Sequence, residues 1–176
     1  MTHASPVMEG PRASARLAVL FIDSDSTRRS AGASALEARG HRAVEASTGK
    51  EGLAHARRAT FDAIVVAESL SDSSAVDVIK DLASFRADLP VILLVPPGFE
   101  DLEIQALRAG AVQTVITTPR FLEFLWKTVE DEARVVRDRR RLARSEEELA
   151  TNRRLRQEAL QDLKESELRF RIAVSQ

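Results

Sequence analysis

Short apolar runs alternate with helix-patterned stretches over the first two thirds of the chain. Three of these runs are almost continuously hydrophobic, as expected for parallel β-strands that are covered on both faces. The predicted strands are Leu17–Ile22, Arg42–Ala46, Ala63–Ala67, Val91–Val95 and Val112–Ile116.

Helical composition fills the stretches between the strands and after the last one. Gly40 and Gly110 stand where helix C-caps are expected, and Asp23, Asp25 and Ser26 supply capping groups for the first helix. Strand and helix alternate five times, which predicts an α/β fold with an open, doubly wound parallel sheet. The predicted helices are Ser26–Arg39, Lys50–Ala59, Ser74–Phe85, Glu100–Ala109 and one from Arg120 onward.

The chain changes character after Trp126. From Lys127 to Gln176 it is dense in charge and contains neither glycine nor proline, which predicts one long helix. Apolar side chains recur there at seven-residue intervals, with Arg156 in the one vacant position, while the positions three residues further on are small or polar. The members of this seam are Val135, Leu142, Leu149, Leu163 and Phe170.

Such a seam favours a coiled coil. A solitary helix of this length is hardly stable in water, so we expect a parallel homodimer. A single solvated helix and a helix that is disordered in isolation stay open. Leu155 and Leu160 lie near the seam and indicate a local shift of register.

Composition narrows the class of protein. Hydrophobic residues form 44% of the 176 residues, so wholesale disorder is excluded. A balance of 26 basic and 27 acidic residues argues against a globally basic nucleic-acid binder. The absence of cysteine excludes disulfides, thiol catalysis and cysteine-based zinc sites, and fits a cytoplasmic protein.

The termini and the apolar runs give no sign of a membrane or export signal. No run reaches the roughly 20 apolar residues of a membrane helix. Residues 1–15 lack the apolar core of a signal peptide and are expected to form a disordered tail.

The region Leu17 to Trp126, about 110 of the 176 residues, resembles the receiver domain of two-component response regulators. That resemblance implies a flavodoxin-like, five-stranded doubly wound sheet with a ligand crevice at the carboxyl ends of its strands. The matching pieces are LAVLFIDSDSTRR, FDAIVVAESLSDSSAVDVIKDL, DLPVILLV and RAGAVQTVITTPRFLEFL, in the family's order.

The resemblance also implies a set of phosphoryl-transfer residues, and this sequence departs from most of them. Receivers carry an acidic pair after the first strand, where this chain has Asp23 and Ser24, and a phosphoaccepting aspartate at the end of the third strand, where it has Ala67. The Ser/Thr switch position is Val95, and the lysine before Pro119 is replaced.

Two threonines complete the set of family positions. Thr118 stands where receivers carry a lysine, and Thr114 falls at the second switch position of the family. A lysine at position 118 would be a costly, largely uncompensated charge once two of three carboxylates are gone. The loss of the lysine therefore fits the loss of the two carboxylates, and we interpret the site as one that has lost its charged residues together.

The chemistry expected of this pocket is correspondingly limited. Alanine has no oxygen, so no acyl phosphate forms at Ala67. Magnesium takes carboxylates together with phosphate oxygens and water, and Asp23 alone is a weak candidate ligand. The sequence thus predicts a pseudo-receiver that has no metal or other cofactor and is not an enzyme.

Two alternatives stay open. An atypical phosphoacceptor would use Asp23, Asp25 or Glu68 with Mg²⁺, although strand alternation directs Glu68 to the face opposite Ala67. A DNA-binding regulator would use the basic helix Arg137–Arg144, against which the adjoining acidic residues argue. Asp72 is expected to serve turn chemistry.

The last residues, ESELRFRIAVSQ, are similar to the lead-in of a PAS sensory domain. The predicted organisation is therefore a tail at 1–15, a receiver-like domain at 16–126, a coiled-coil connector at 127–169 and a truncated PAS start at 170–176. We expect a signalling module that binds a protein partner through the surface around Glu100–Ala109 and Val112–Ile116.

Overall fold

A computed structural model describes residues 16–174, with side chains through residue 171. The predicted tail at residues 1–15 lies outside the described residues. So do residues 175–176 and the side chains of 172–174, which belong to the predicted PAS-like start.

Five parallel strands form one sheet in the order β2-β1-β3-β4-β5. This confirms the predicted fold class, and no strand bound differs from its predicted position by more than one residue. The strands are β1 (Ala18–Ile22), β2 (Arg42–Ala46), β3 (Ala63–Ala67), β4 (Val91–Val95) and β5 (Gln113–Ile116).

Five helices connect and follow the strands. All predicted helices except Glu100–Ala109 differ by one or two residues at an end. The predicted ends Ser74 and Ala59 are capping residues outside their helices, whereas Gly49 begins α2 one residue early and α5 begins one residue after Arg120. Gly110 is left-handed (φ 118°) and ends α4, as predicted. The helices are α1 (Ser26–Glu37), α2 (Gly49–Arg58), α3 (Ala75–Phe85), α4 (Glu100–Ala109) and α5 (Phe121–Val174).

The sheet is covered on both faces, which explains the continuously apolar strands. Leu20 and Ile22 of β1 join a core with residues of α2, α3 and α4. Val19 and Phe21, on the opposite face, join a second core with residues of α1 and the start of α5. The alternation of side chains along β1 thus divides one strand between two cores.

The long helix predicted after Trp126 is present as α5, which has 54 residues. Within this helix, between residues 134 and 135, the described part of the chain divides into two compact units. Val129 and Ala133, which follow the predicted boundary at 126, are buried in the core of the first unit. No helix within residues 16–174 is long and apolar enough to cross a membrane.

Candidate functional site

The candidate site lies at the carboxyl ends of β1, β3 and β4, where parallel strands of a doubly wound sheet form their crevice. The pairing of Ile22 with Val66 brings the residues that follow β1 beside the end of β3. Ala67, the predicted phosphoacceptor position, ends β3 and is completely buried. Its methyl group offers the crevice no oxygen.

Asp23 is the buried carboxylate of the site, and its oxygens are already bound. Arg28 donates from Nε to Asp23 Oδ2 (2.6 Å) and from Nη2 to Oδ1 (3.1 Å), while the Asp25 N–H donates to Oδ1 (2.9 Å). The side chain of Asp23 is 0% exposed and that of Arg28 is 19% exposed. A two-pronged, charge-assisted pair therefore holds the remnant acid.

Arg28 also contacts a second carboxylate. Its Nη1 lies 3.4 Å from Glu68 Oε1, and its Nη2 lies 3.2 Å from Glu68 Oε2. The Oε2 atom is buried and has this ion-pair contact but no hydrogen bond. The hydrogen bond to Asp23, followed by the charges of Asp23 and Glu68, raises the pKa of Arg28 against the cost of burial.

The prediction that Glu68 points away from the crevice is therefore wrong. Glu68 follows β3 at a bend, so the alternation of side chains that holds within the strand does not extend to it. Its carboxylate shares one guanidinium with Asp23. The two acids of the site are joined through a cation.

Ser24, at the second position of the predicted acidic remnant, links three loops. Its hydroxyl donates to Ser47 O (3.1 Å) and accepts from the Ser71 N–H (2.9 Å). These groups follow β1, β2 and β3, so a neutral hydrogen-bond bridge occupies the position of a second acid.

Asp25, the third member of that remnant, serves as the N-cap of α1. Its Oδ1 accepts from the N–H groups of Thr27 (2.9 Å) and Arg28 (3.1 Å). These backbone bonds, led by the one from Arg28, lower the pKa of Asp25. The carboxylate is thus engaged at the helix start, as the capping prediction required.

Asp72 caps a helix that is distant in sequence. Its two carboxylate oxygens accept from the N–H groups of Gly49 (2.8 Å) and Lys50 (3.0 Å) at the start of α2. The bond from Lys50 is the main reason that the pKa of Asp72 is lowered. The expected role in turn chemistry is replaced by a tie between the β3–α3 loop and α2.

The predicted switch positions differ in burial. Val95 is completely buried at the end of β4, whereas Thr114 is half-buried and Thr118 is exposed. Thr117, which the sequence interpretation missed, bonds β4 instead: its N–H and its hydroxyl both donate to Val95 O, at 2.8 and 3.3 Å. The available signal was strand alternation, since Thr117 lies two residues after the buried Val115.

Arg28 was also missed, although the sequence carries a signal for it. The N-terminal end of a helix has a positive dipole, which disfavours a cation in the first turn. Arg28 stands in the first turn of α1, where no acidic residue occurs. A cation at such a position indicates a nearby carboxylate that compensates it.

The receiver resemblance implies a magnesium ion, and the residues present do not fit one. Asp23 has no free carboxylate oxygen, because Arg28 approaches both. Across the described part of the chain, no three or more His, Cys, Asp or Glu side chains group so as to hold a metal. The cation that the carboxylates of Asp23 and Glu68 bind is the guanidinium of Arg28.

An exposed apolar surface comprises α4 and Val112–Ile116, the two parts of the predicted partner surface, together with the start of α5. We call it the α4–β5–α5 face. The first turn of α4 carries the acidic residues Glu100, Asp101 and Glu103. Its large apolar members, between 43% and 59% exposed, are Ile104, Leu107, Val112, Ile116 and Phe124.

The remaining predicted residues lie on α5 beyond the first compact unit. All five seam residues are exposed, from Val135 at 44% to Phe170 at 71%. Within Arg137–Arg144, Arg141 pairs with Asp138 at 3.5 Å.

Comparison with known proteins places the first unit in a family. The response regulator receiver domain family matches residues 19–119. The transcriptional regulatory protein ZraR of Klebsiella oxytoca is 22% identical over 98 residues, which are 56% of this chain and 22% of that protein. The chain thus spans about a fifth of the length of this relative.

Solved structures share the fold. The Francisella response regulator 1452 receiver domain superposes with a TM-score of 0.63 at 22% identity, covering 68% of this chain and 98% of its own. NtrX from Brucella abortus gives 0.65 at 17% identity, covering 72% of this chain and 29% of its own. CheY4 of Vibrio cholerae gives 0.60 at 21% identity, covering 65% and 98%.

Proposed function

Because this chain belongs to the response regulator receiver domain family, we propose that it is a receiver module that works without phosphorylation. It acts by binding proteins and passes the resulting signal through α5. With no acyl phosphate to drive a switch, the two states of the module differ in their affinity for a partner. The module is a binding domain and not a catalyst.

One observation carries this proposal. The end of β3, where a receiver places its phosphoacceptor, is the completely buried Ala67. Neither nearby carboxylate replaces the missing aspartate, since Asp23 and Glu68 are both paired with Arg28. Asp25 is engaged as the cap of α1. The three acids that could serve as an atypical phosphoacceptor are therefore all engaged in structural contacts.

The proposal is tested by incubating the full chain with acetyl phosphate, with and without Mg²⁺, and measuring intact mass. We expect no gain of a phosphoryl group, and beryllofluoride should leave the amide resonances of Asp23 and Ala67 unshifted. A phosphotransfer-competent receiver treated in parallel is the positive control.

A Mg²⁺-dependent gain of one phosphoryl group would overturn the proposal. Its loss in Asp23→Asn, Asp25→Asn or Glu68→Gln would then identify the carboxylate that accepts the phosphoryl group. That result would establish the atypical phosphoacceptor.

The partner surface is the α4–β5–α5 face. Apolar side chains exposed together on adjoining elements indicate an interaction site. In this face the exposed members come from α4, β5, the start of α5 and Val112 just before β5, all within one compact unit. We propose that a protein partner binds there.

The connector is proposed to be a parallel homodimer. The seam residues are exposed along α5 and make no contact that would bury them within one chain. Pairing with a second copy buries them, as knobs-into-holes packing requires. We propose the domains 16–126, 127–169 and a PAS-like start at 170–176; the first turns of the connector, as far as Ala133, pack on the first domain, and α5 continues to Val174.

A further inference from the structure

The pocket at the end of β1 and β3 contains its own cation. We infer that the guanidinium of Arg28 takes the place of a divalent metal ion and closes this pocket to metals. The inference rests on the proposed function, because it concerns the same pocket and names Arg28 as the group that neutralises its carboxylates.

Burial of Asp23 makes a compensating charge necessary. A carboxylate that is 0% exposed is costly unless it is paired and hydrogen-bonded. Receivers resembling this chain meet that need with a metal and a lysine, neither of which the residues here support. Arg28 meets it with a planar fork whose geometry matches a carboxylate.

The arginine directs its donors at both acids of the site. Two of its nitrogens reach Asp23 and two lie near Glu68, at distances from 2.6 to 3.4 Å. A magnesium ion needs oxygen ligands at about 2.0–2.1 Å in a nearly octahedral arrangement. An ion at that distance from Asp23 would displace the guanidinium and meet its positive charge.

The backbone fixes Arg28 in this position. Its own N–H donates to Asp25 Oδ1 at 3.1 Å, so the α1 cap holds the residue that fills the pocket. Gly32 lets α1 approach β1 closely, since a Cβ there would lie 2.4 Å from a ring carbon of Phe21. The helix cannot easily withdraw the cation from the carboxylates.

A second carboxylate ligand is replaced as well. Ser24 Oγ bridges Ser47 O and the Ser71 N–H, so the loops around the pocket are joined by neutral bonds. The cation that pairs with both carboxylates is therefore supplied by the chain, and a second guanidinium, that of Arg29, donates to Asp23 O at 2.6 Å. The charge of the pocket does not depend on the metal concentration.

The test is a Mn²⁺ titration of the ¹⁵N-labelled full chain, read as paramagnetic broadening of amide resonances. Wild type and Arg28→Lys, which keeps a cation, should show no saturable broadening near Asp23 and Glu68. Arg28→Gln should bind Mn²⁺ at least about tenfold more tightly than wild type. Arg28→Gln combined with Asp23→Asn should lose that gain.

Saturable broadening centred on Asp23 in the wild type would overturn the inference, as would an Arg28→Gln variant that gains no affinity. If Arg28→Gln is unfolded without metal, refolding on addition of Mn²⁺ supports the inference, and failure to refold counts against it. Phosphorylation is measured separately by mass. A wild type that binds Mn²⁺ but gains no phosphoryl group would sink this inference alone.

Discussion

At the scale of single residues, three carboxylates that follow β1, β2 and β3 have structural roles. Asp25 and Asp72 cap helices, and Glu51 in the first turn of α2 accepts from the N–H (2.7 Å) and hydroxyl (2.8 Å) of Ser47, the residue before the N-cap. Bonds from backbone N–H groups favour the charged form, so the pKa of each of these three acids is lowered. These three carboxylates stabilise helix starts and the loops that precede them.

These lowered pKa values predict how stability depends on pH. An Asp in the unfolded chain titrates near pH 3.9, and the native Asp72 titrates lower. Protons therefore bind the unfolded state more readily, and the stabilisation is complete above about pH 4 and lost as the pH falls through the native pKa. The urea midpoint should decrease across that acid range.

Asp72→Asn isolates the contribution of this cap. The neutral amide keeps an acceptor at the start of α2 but does not titrate, so the decrease of the urea midpoint below pH 4 should become smaller. Asp81→Asn, at an exposed position of α3, is the matched control. Equal acid sensitivity in Asp72→Asn and wild type would refute the assignment.

At the scale of elements, two contacts hold the beginning of α5 against the α1–β2 corner. Arg39 stacks on Trp126, with its guanidinium carbon 3.2 Å from the ring centroid. The buried His41 has its Nε2 2.8 Å from Glu130 Oε1, and its Nδ1 accepts from the Leu17 N–H at 3.3 Å. This acceptor role gives the Nε2–H tautomer, which donates to Glu130.

Removing the stacked guanidinium should release the ring. Arg39→Ala should shift the emission maximum of Trp126, the one tryptophan of the chain, to longer wavelength, because the indole ring becomes more exposed to solvent. The expected loss of stability is about 0.5–1 kcal/mol, the usual range for an exposed cation–π pair. Steady-state emission and urea unfolding measure the two effects.

Arg57→Ala provides the control for this prediction. Arg57 lies over Phe85, 4.9 Å from the ring centroid and on other elements, so its removal should leave Trp126 emission unchanged. An unshifted spectrum in Arg39→Ala would show that the stack does not protect the ring.

At the scale of the whole molecule, the two compact units differ in how they bury apolar side chains. The first unit has two complete cores on either side of its sheet. In the second, from residue 135, the described side chains are exposed or half-buried. Packing of an amphipathic face supplies most helix stability, which is the reason that we propose a partner helix for the second unit.

Seam residues should determine the oligomeric state. We expect the full chain to sediment as a dimer and Leu142→Asn combined with Leu149→Asn to sediment as a monomer, because polar side chains weaken a seam. Leu168→Asn, 62% exposed and five residues after Leu163, lies on the face opposite the seam; it is the control and should stay dimeric. A monomeric wild type in analytical ultracentrifugation would contradict the proposed connector.

The fold could be read from the sequence because it depends on local and periodic signals. Continuously apolar strands, capping residues and the glycine at position 110 were sufficient to place all ten elements, and the structure confirms the doubly wound sheet. The identity of Ala67 is likewise a property of the sequence. That an alanine cannot form an acyl phosphate follows from its composition alone, without a structure.

The composition of the pocket was decided by tertiary structure. Arg28 and Glu68 are 40 residues apart, and only the folding of α1 onto the end of β3 brings their charges together. The bend after β3 turned Glu68 inward against the alternation rule, and the register of β5 placed Thr117 rather than Thr118 against β4. Patterns along the chain report which face a residue occupies within an element. The partners that a side chain meets beyond the end of its strand depend on packing, which sequence periodicity does not encode.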